Sequence, residues 1–89
     1  MKNLSLKSFI ECLALIDHQM NENFPDDYYI KTFAHPDLPE YIIKMHWNDL
    51  GTKEIVIYYK DDQIWSQDWL TGNMQDVYDA VISHTQKIN

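Results

Sequence analysis

A chain of 89 residues holds one domain, and burial on folding removes little more than about 60% of the surface of the unfolded chain. With 45% hydrophobic, 13% aromatic and 24% charged residues the composition excludes intrinsic disorder, and two glycines with three prolines exclude a collagen-like or linker-like chain. Fourteen acidic residues against seven lysines, with no arginine, give a net charge of −7, which argues against a direct reader of nucleic acid: phosphate contacts supply most of that affinity, and arginine makes the bidentate contacts to phosphate and guanine.

The first predicted element is a helix. Ser5 is an N-cap residue type. Leu6, Phe9, Leu13, Ile16 and Met20 then recur at alternating spacings of three and four, and Ile10, Cys12, Ala14 and Leu15 widen the apolar face. A helix this apolar is either contacted on several sides or meets another chain. Asn21, Glu22, Asn23 and Pro25 end it. Glu11 interrupts the run and Asp17 and His18 follow it, which is no secretory signal, and the run is shorter than the roughly 20 residues needed to span a bilayer. A cytoplasmic protein is the expectation. Cys12 is a single cysteine, so no intramolecular disulfide can form, and its apolar neighbours predict a buried thiol.

Strands follow. Residues 28–34 are aromatic and β-branched. Residues 35–39 contain two prolines and read as a connection. Residues 40–47 alternate, with Tyr41, Ile43, Met45 and Trp47 on one face and Ile42, Lys44 and His46 on the other. Residues 48–52 form a hairpin loop with Gly51. Residues 53–60 alternate again, Ile55, Ile57 and Tyr59 opposing Glu54, Val56, Tyr58 and Lys60. Asp61-Asp62 turns into a short fourth strand over 63–66. A second helix is capped by Thr71 or Asn73, with Met74, Val77, Tyr78, Val81, Thr85 and Ile88 as its apolar stripe. Gln75, Asp76, Asp79, Ser83 and Gln86 face water.

The fold class expected is α+β: a small single domain over residues 1–89, an α-β-β-β-(β)-α antiparallel meander with both helices packed on one face. The expected core joins Leu6, Phe9, Ile10, Leu13, Ile16 and Met20 to Ile43, Met45, Trp47, Ile55, Ile57, Tyr59, Val77, Val81 and Ile88.

A meander sorts loop chemistry to two ends. The lower end gathers Glu22, Asp26, Asp27, Asp49, Glu54 and Asp68. The upper end gathers Asp37, Glu40, Asp61 and Asp62. Turns favour Asp because its side chain bonds local backbone. Gathered on a rim, the same carboxylates imitate phosphates and steer a basic protein. Tyr28 and Trp69 stand beside the lower rim as apolar anchors. Away from the helices, Lys31, Ile42, Lys44, His46, Val56, Tyr58 and Lys60, with Tyr29 and Phe33 alongside, make a mixed surface of the kind that marks interfaces.

Little points to catalysis. His18, His35, His46 and His84 lie on separate elements, and no paired-histidine or C-x-x-C spacing occurs, so no metal and no cofactor are expected. Ser83 and His84 are adjacent on a helix and do not face one another. The Asp26-Asp27 and Asp61-Asp62 pairs lie in turns, where burial does not raise a carboxyl pKa. There is no glycine-rich phosphate loop.

In size, acidity and architecture the chain resembles, as a class and in outline, small phage-encoded anti-defence proteins, anti-CRISPR proteins among them, and toxin immunity proteins. Its element order is also similar to the double-stranded-RNA-binding domain, whose basic residues are missing here. Type III secretion chaperones are similarly small acidic α+β dimers, with a further strand and helix. The leading expectation is a non-catalytic protein-binding inhibitor. It would block a basic, nucleic-acid-binding surface of an effector or nuclease through Glu22, Asp26, Asp27, Tyr28, Asp49, Asp68 and Trp69, partly by nucleic-acid mimicry. The alternative is a homodimeric accessory or chaperone-like domain, using Ile42, Lys44, His46, Val56 and Tyr58. A small enzyme or ligand-binding domain is the third. Both monomer and homodimer remain open; no direct nucleic-acid and no membrane partner is expected.

Overall fold

The computed structural model describes residues 4–21, 28–48, 53–68 and 73–88. Helix α1 (Leu6–Cys12) precedes strands β1 (Ala14–Asn21), β2 (Tyr28–His35), β3 (Leu38–Asn48), β4 (Lys53–Tyr59) and β5 (Asp62–Asp68), and helix α2 (Met74–Ile88) follows them. The strands form one antiparallel sheet in the order β1-β2-β3-β4-β5. This is the α+β meander expected, with a strand more than the sequence pattern showed.

The extra strand comes out of the predicted first helix. Ser5 caps α1 as expected, its Oγ accepting from the Ser8 amide at 3.1 Å. Yet the helix stops at Cys12, because Leu13 adopts extended backbone at φ −68°, ψ 123°. Residues 14–21 then pair along β2. A β-bulge lies between Leu15 and Asp17, with Ile16 as its unpaired extra residue. It resets the two-residue alternation, so Leu15, His18 and Met20 share a side, and the Leu13, Ile16 and Met20 spacing read as a helical stripe marks no common face of the strand. Pairing with a neighbouring strand overrides local helix preference.

Much of the first expected core segment is therefore outside. Ile10, Leu15, Ile16 and Met20 are exposed, as is Ile88 at the other end of the chain. Cys12 is exposed as well, where a buried thiol was expected. The core keeps the expected Phe9 of α1, Val77 and Val81 of α2, and Ile43, Ile55 and Ile57 of β3 and β4, and adds Leu38 and Tyr41 of β3. Both helices thus cover one face of the sheet. The register Tyr41↔Tyr59, Ile43↔Ile57 and Met45↔Ile55 confirms the alternation read for β3 and β4. Burying a side chain such as Phe9 or Ile57 stabilises the fold by roughly 1.5–3 kcal/mol.

Strand β2 has the opposite parity to that expected. Tyr29 pairs with Trp47, Lys31 with Met45 and Phe33 with Ile43, so all three point to the helix side. Residues 28–34 are apolar on both faces, so only the turn could set their register. That turn is Pro36-Asp37, between the paired His35 and Leu38. Pro39 belongs to β3, beside the bulge at Ala34/His35. The Asp37 amide donates to His35 Nδ1 at 3.0 Å, and the buried His35 ring stacks on Phe9 at 5.6 Å.

Lys60 also leaves its predicted face. With Asp61 it forms the β4–β5 turn at φ 49° and 72°, the positive pair that mirror-image hairpin turns require. The Lys60 amide donates to the Glu40 carbonyl at 3.0 Å. Asn73 caps α2, its Oδ1 accepting from the Asp76 amide at 3.1 Å. The Tyr78 hydroxyl donates to the Leu4 carbonyl and ties α2 to the chain before α1. Among the described residues no helix is long and apolar enough to cross a membrane.

Candidate functional site

The hairpins place two groups of carboxylates at opposite ends. The upper group is fully described. Asp37 sits in the β2–β3 turn, Glu40 near the start of β3, and Asp61 and Asp62 at the β4–β5 turn. All four are exposed, and none has a lysine within ion-pair distance among the described residues. Four of the seven lysines are engaged elsewhere. Lys31 lies over Trp47 at 5.7 Å, Lys44 over Tyr58 at 5.4 Å and Lys60 over Tyr59 at 5.3 Å, where the electron-rich ring faces hold their charge. Lys7 approaches Glu11 at 4.0 Å on the exposed side of α1. Such an exposed pair contributes at most about 1 kcal/mol.

At the lower end, Tyr28 opens β2 opposite Asn48, and Asp68 closes β5 opposite Glu54. Tyr28, Glu54 and Asp68 are exposed. Three strand spacings separate Tyr28 from Asp68, about 14 Å. Glu22, Asp26, Asp27, Asp49 and Trp69, expected to complete this rim, lie outside the described residues.

The face away from the helices carries the expected alternative set. Ile42 pairs with Tyr58, Lys44 with Val56 and His46 with Glu54, which puts all of them on one side. Ile42, Lys44, Tyr58 and Asp61 line a depression of about 330 Å³. Val56, only 3% exposed, offers a partner little surface. His46 has a buried Nε2 with no hydrogen-bond partner among the described residues. Burial pushes its pKa below the ordinary 6.5; Glu54 pulls it upward and Lys44 adds to the lowering. The ring is therefore neutral at neutral pH.

The sequence reading missed a larger cavity. Between β5 and α2 lies a groove of about 420 Å³, lined by Trp65 and Gln67 on the strand and Asp76, Asp79, His84 and Lys87 on the helix. His84 is held from behind. Its Nδ1 lies 2.7 Å from the Tyr41 hydroxyl, and the Tyr59 ring is 4.7 Å away. Burial, and then the neighbouring Tyr59 and Glu40, push the Tyr41 pKa above 10.0, so the phenol keeps its proton at neutral pH. The available signal was the helix pattern itself. Asp76, Asp79 and Ser83 read as a water-facing flank, and that flank is one wall of the groove.

Among the described residues no three His, Cys, Asp or Glu side chains are grouped to hold a metal ion. No family model matches the chain, and neither does any curated protein or solved structure.

Proposed function

We propose that the protein is a non-catalytic acidic inhibitor that binds another protein and covers its basic, nucleic-acid-binding surface, partly by presenting carboxylates where phosphates would lie. The class meant is that of phage anti-defence proteins, the anti-CRISPR type included, and toxin immunity proteins; the target is a nucleic-acid-binding effector or nuclease. One observation carries the reading: Asp37, Glu40, Asp61 and Asp62 are exposed at one end with no ion pair among the described residues, while Lys31, Lys44 and Lys60 lie on aromatic rings. An acidic end of this kind speeds encounter with a basic surface, and the effect falls with added salt. The lower rim, with Asp68 and Tyr28 flanking it, is the second acidic surface of the proposal.

The test is an affinity pull-down from lysate of the source cell or its host, at low and high salt. A basic nucleic-acid-handling protein retained at low salt, and lost on reversing Asp37 and Glu40 to Lys or Asp26 and Asp27 to Lys, is the expected result. Retention that ignores both pairs of reversals would refute the acidic ends as the docking surface. The depression beside Ile42 and Tyr58 supports a second reading, a homodimer through the open face. It predicts a dimer by light scattering that Tyr58→Asp dissociates.

A further inference from the structure

The groove between β5 and α2 lies apart from the acidic ends. We propose that it is a strand-addition site, which takes an extended segment of a partner protein as a sixth strand on β5. That segment carries a basic side chain at one end of the groove and an acidic one at the other.

Three features lead there. The first is the edge. β5 ends the sheet, so the outer row of its backbone N–H and C=O groups has no strand beyond it among the described residues. Such a row is a template for another main chain, whose hydrogen bonds give affinity while side pockets give selectivity.

The second is the wall. α2 runs beside β5 in the opposite direction. Gln67 Nε2 near the end of the strand donates to Asp76 Oδ2 near the start of the helix at 3.4 Å. His84, bonded to Tyr41, stands at the other end. Strand and helix thus form a trough with Trp65 on its floor, and its 420 Å³ lies within the range of about 300–1,000 Å³ usual for ligand sites.

The third is the charge. The carboxylates Asp76 and Asp79 occupy the first half of the wall and the ammonium group of Lys87 the last. Asp76, Asp79 and Lys87 have no ion pair among the described residues. Asp79 accepts one bond, from Gln75 Nε2 at 2.8 Å, and keeps further lone pairs. The two charged halves are about 12 Å apart along the helix axis. Side chains on one face of a strand recur every 6.8 Å or so, which makes the matching spacing about four residues. The occupant therefore carries one basic residue (Lys or Arg) and one acidic residue (Asp or Glu) four positions apart, with an apolar residue between them over Trp65.

A second copy of this chain does not fit. β5 has Asp62 and Asp68 and no basic residue, so pairing it with itself across a two-fold axis sets carboxylate against carboxylate. β1 carries no lysine either.

The experiment pans a random octapeptide display library on the intact protein and resynthesises the enriched peptides. The expected winners are extended, with opposite charges four apart. Their binding slows hydrogen exchange at β5 amides and shifts α2 resonances from Asp76 to Lys87. Asp79→Lys or Lys87→Glu, both exposed positions, weakens binding by roughly two- to fivefold each. The double variant prefers the charge-swapped peptide. No enrichment over bare support, winners without that pattern, protection at β1 instead of β5, or no reversed preference in the double variant would each overturn the proposal. Reversing Asp37 and Glu40 leaves peptide affinity unchanged, so the acidic ends and the groove succeed or fail independently.

Discussion

Strands β1 and β5 both end the sheet, but they present different edges. β1 exposes Leu15, Ile16 and Met20 and carries one carboxylate and no lysine. β5 has Asp62 and Asp68 at its ends, exposed Gln63 and Ser66 between them, and α2 alongside. The cause is where the helices sit. Phe9, Val77 and Val81 meet the side chains of β3 and β4, and Trp65 and Ile64 of β5 pack beside them. Neither Leu15 nor Met20 joins that core. Lysine, the usual guard of an exposed edge, is missing from β1, which relies on the bulge at Ile16 to interrupt its unpaired row. The helix-flanked edge became a trough; the other has no helix alongside it among the described residues and keeps Leu15, Ile16 and Met20 exposed.

The largest test of this contrast sets a covered position against a bare one. Ile57→Ala should cost roughly 2–5 kcal/mol in urea unfolding, since the side chain is fully buried. Leu15→Ala should cost less than about 1 kcal/mol. Equal losses would mean that β1 is covered after all. Next comes self-association. Ile16→Lys adds the missing guard to β1 and should lower concentration-dependent light scattering, with stability changed by no more than about 0.5 kcal/mol. Unaltered scattering would remove β1 as the sticky edge.

Asp61→Gly probes the turn that launches β5. Asp61 holds φ 72°, which glycine adopts freely, so the variant should gain up to about 1 kcal/mol and raise the melting temperature. A lower melting temperature would show that the Asp side chain supports the turn.

The smallest effect lies on the seam between the two halves, where His46 pairs with Ile30 of β2 and Glu54 of β4. Its folded pKa lies below the unfolded value, so the unfolded chain takes up the proton first as pH falls. Stability should therefore drop as pH is lowered from 6.5 toward the folded value and level off below it. His46→Asn should flatten that slope in urea midpoints taken at neutral and mildly acidic pH.

The elements readable in advance were those with one wet and one buried face. Tyr41 to Trp47 and Lys53 to Tyr59 alternate in residue type along the side that α1 and α2 cover, although Val56 on the other face of β4 is buried as well, and Ser5 and Asn73 are caps by side-chain chemistry. β1 was hidden because its apolar residues continue the three-and-four spacing of α1, and its bulge at Ile16 breaks the two-residue alternation that would have marked a strand. β2 was half hidden, because apolar residues on both faces leave parity to the Pro36-Asp37 turn that follows it. The upper acidic end was legible once a meander was assumed, since strand direction alone assigns Asp37 and Asp61 to one end. The groove was not. It depends on how α2 lies across an edge strand, and no local pattern in Asp76, Asp79 or Lys87 records that angle.

The sequential strand order has a consequence for how the fold is reached. Every strand pairs with its neighbour in the chain, so each hairpin closes over a short loop and can form as the polypeptide leaves the ribosome. The hydrophobic centre obeys another schedule. Phe9 is made early and Val77 and Val81 late, yet they meet in one cluster. A nascent chain that has made all five strands still has an unsealed sheet face until α2 has followed them and packed against it.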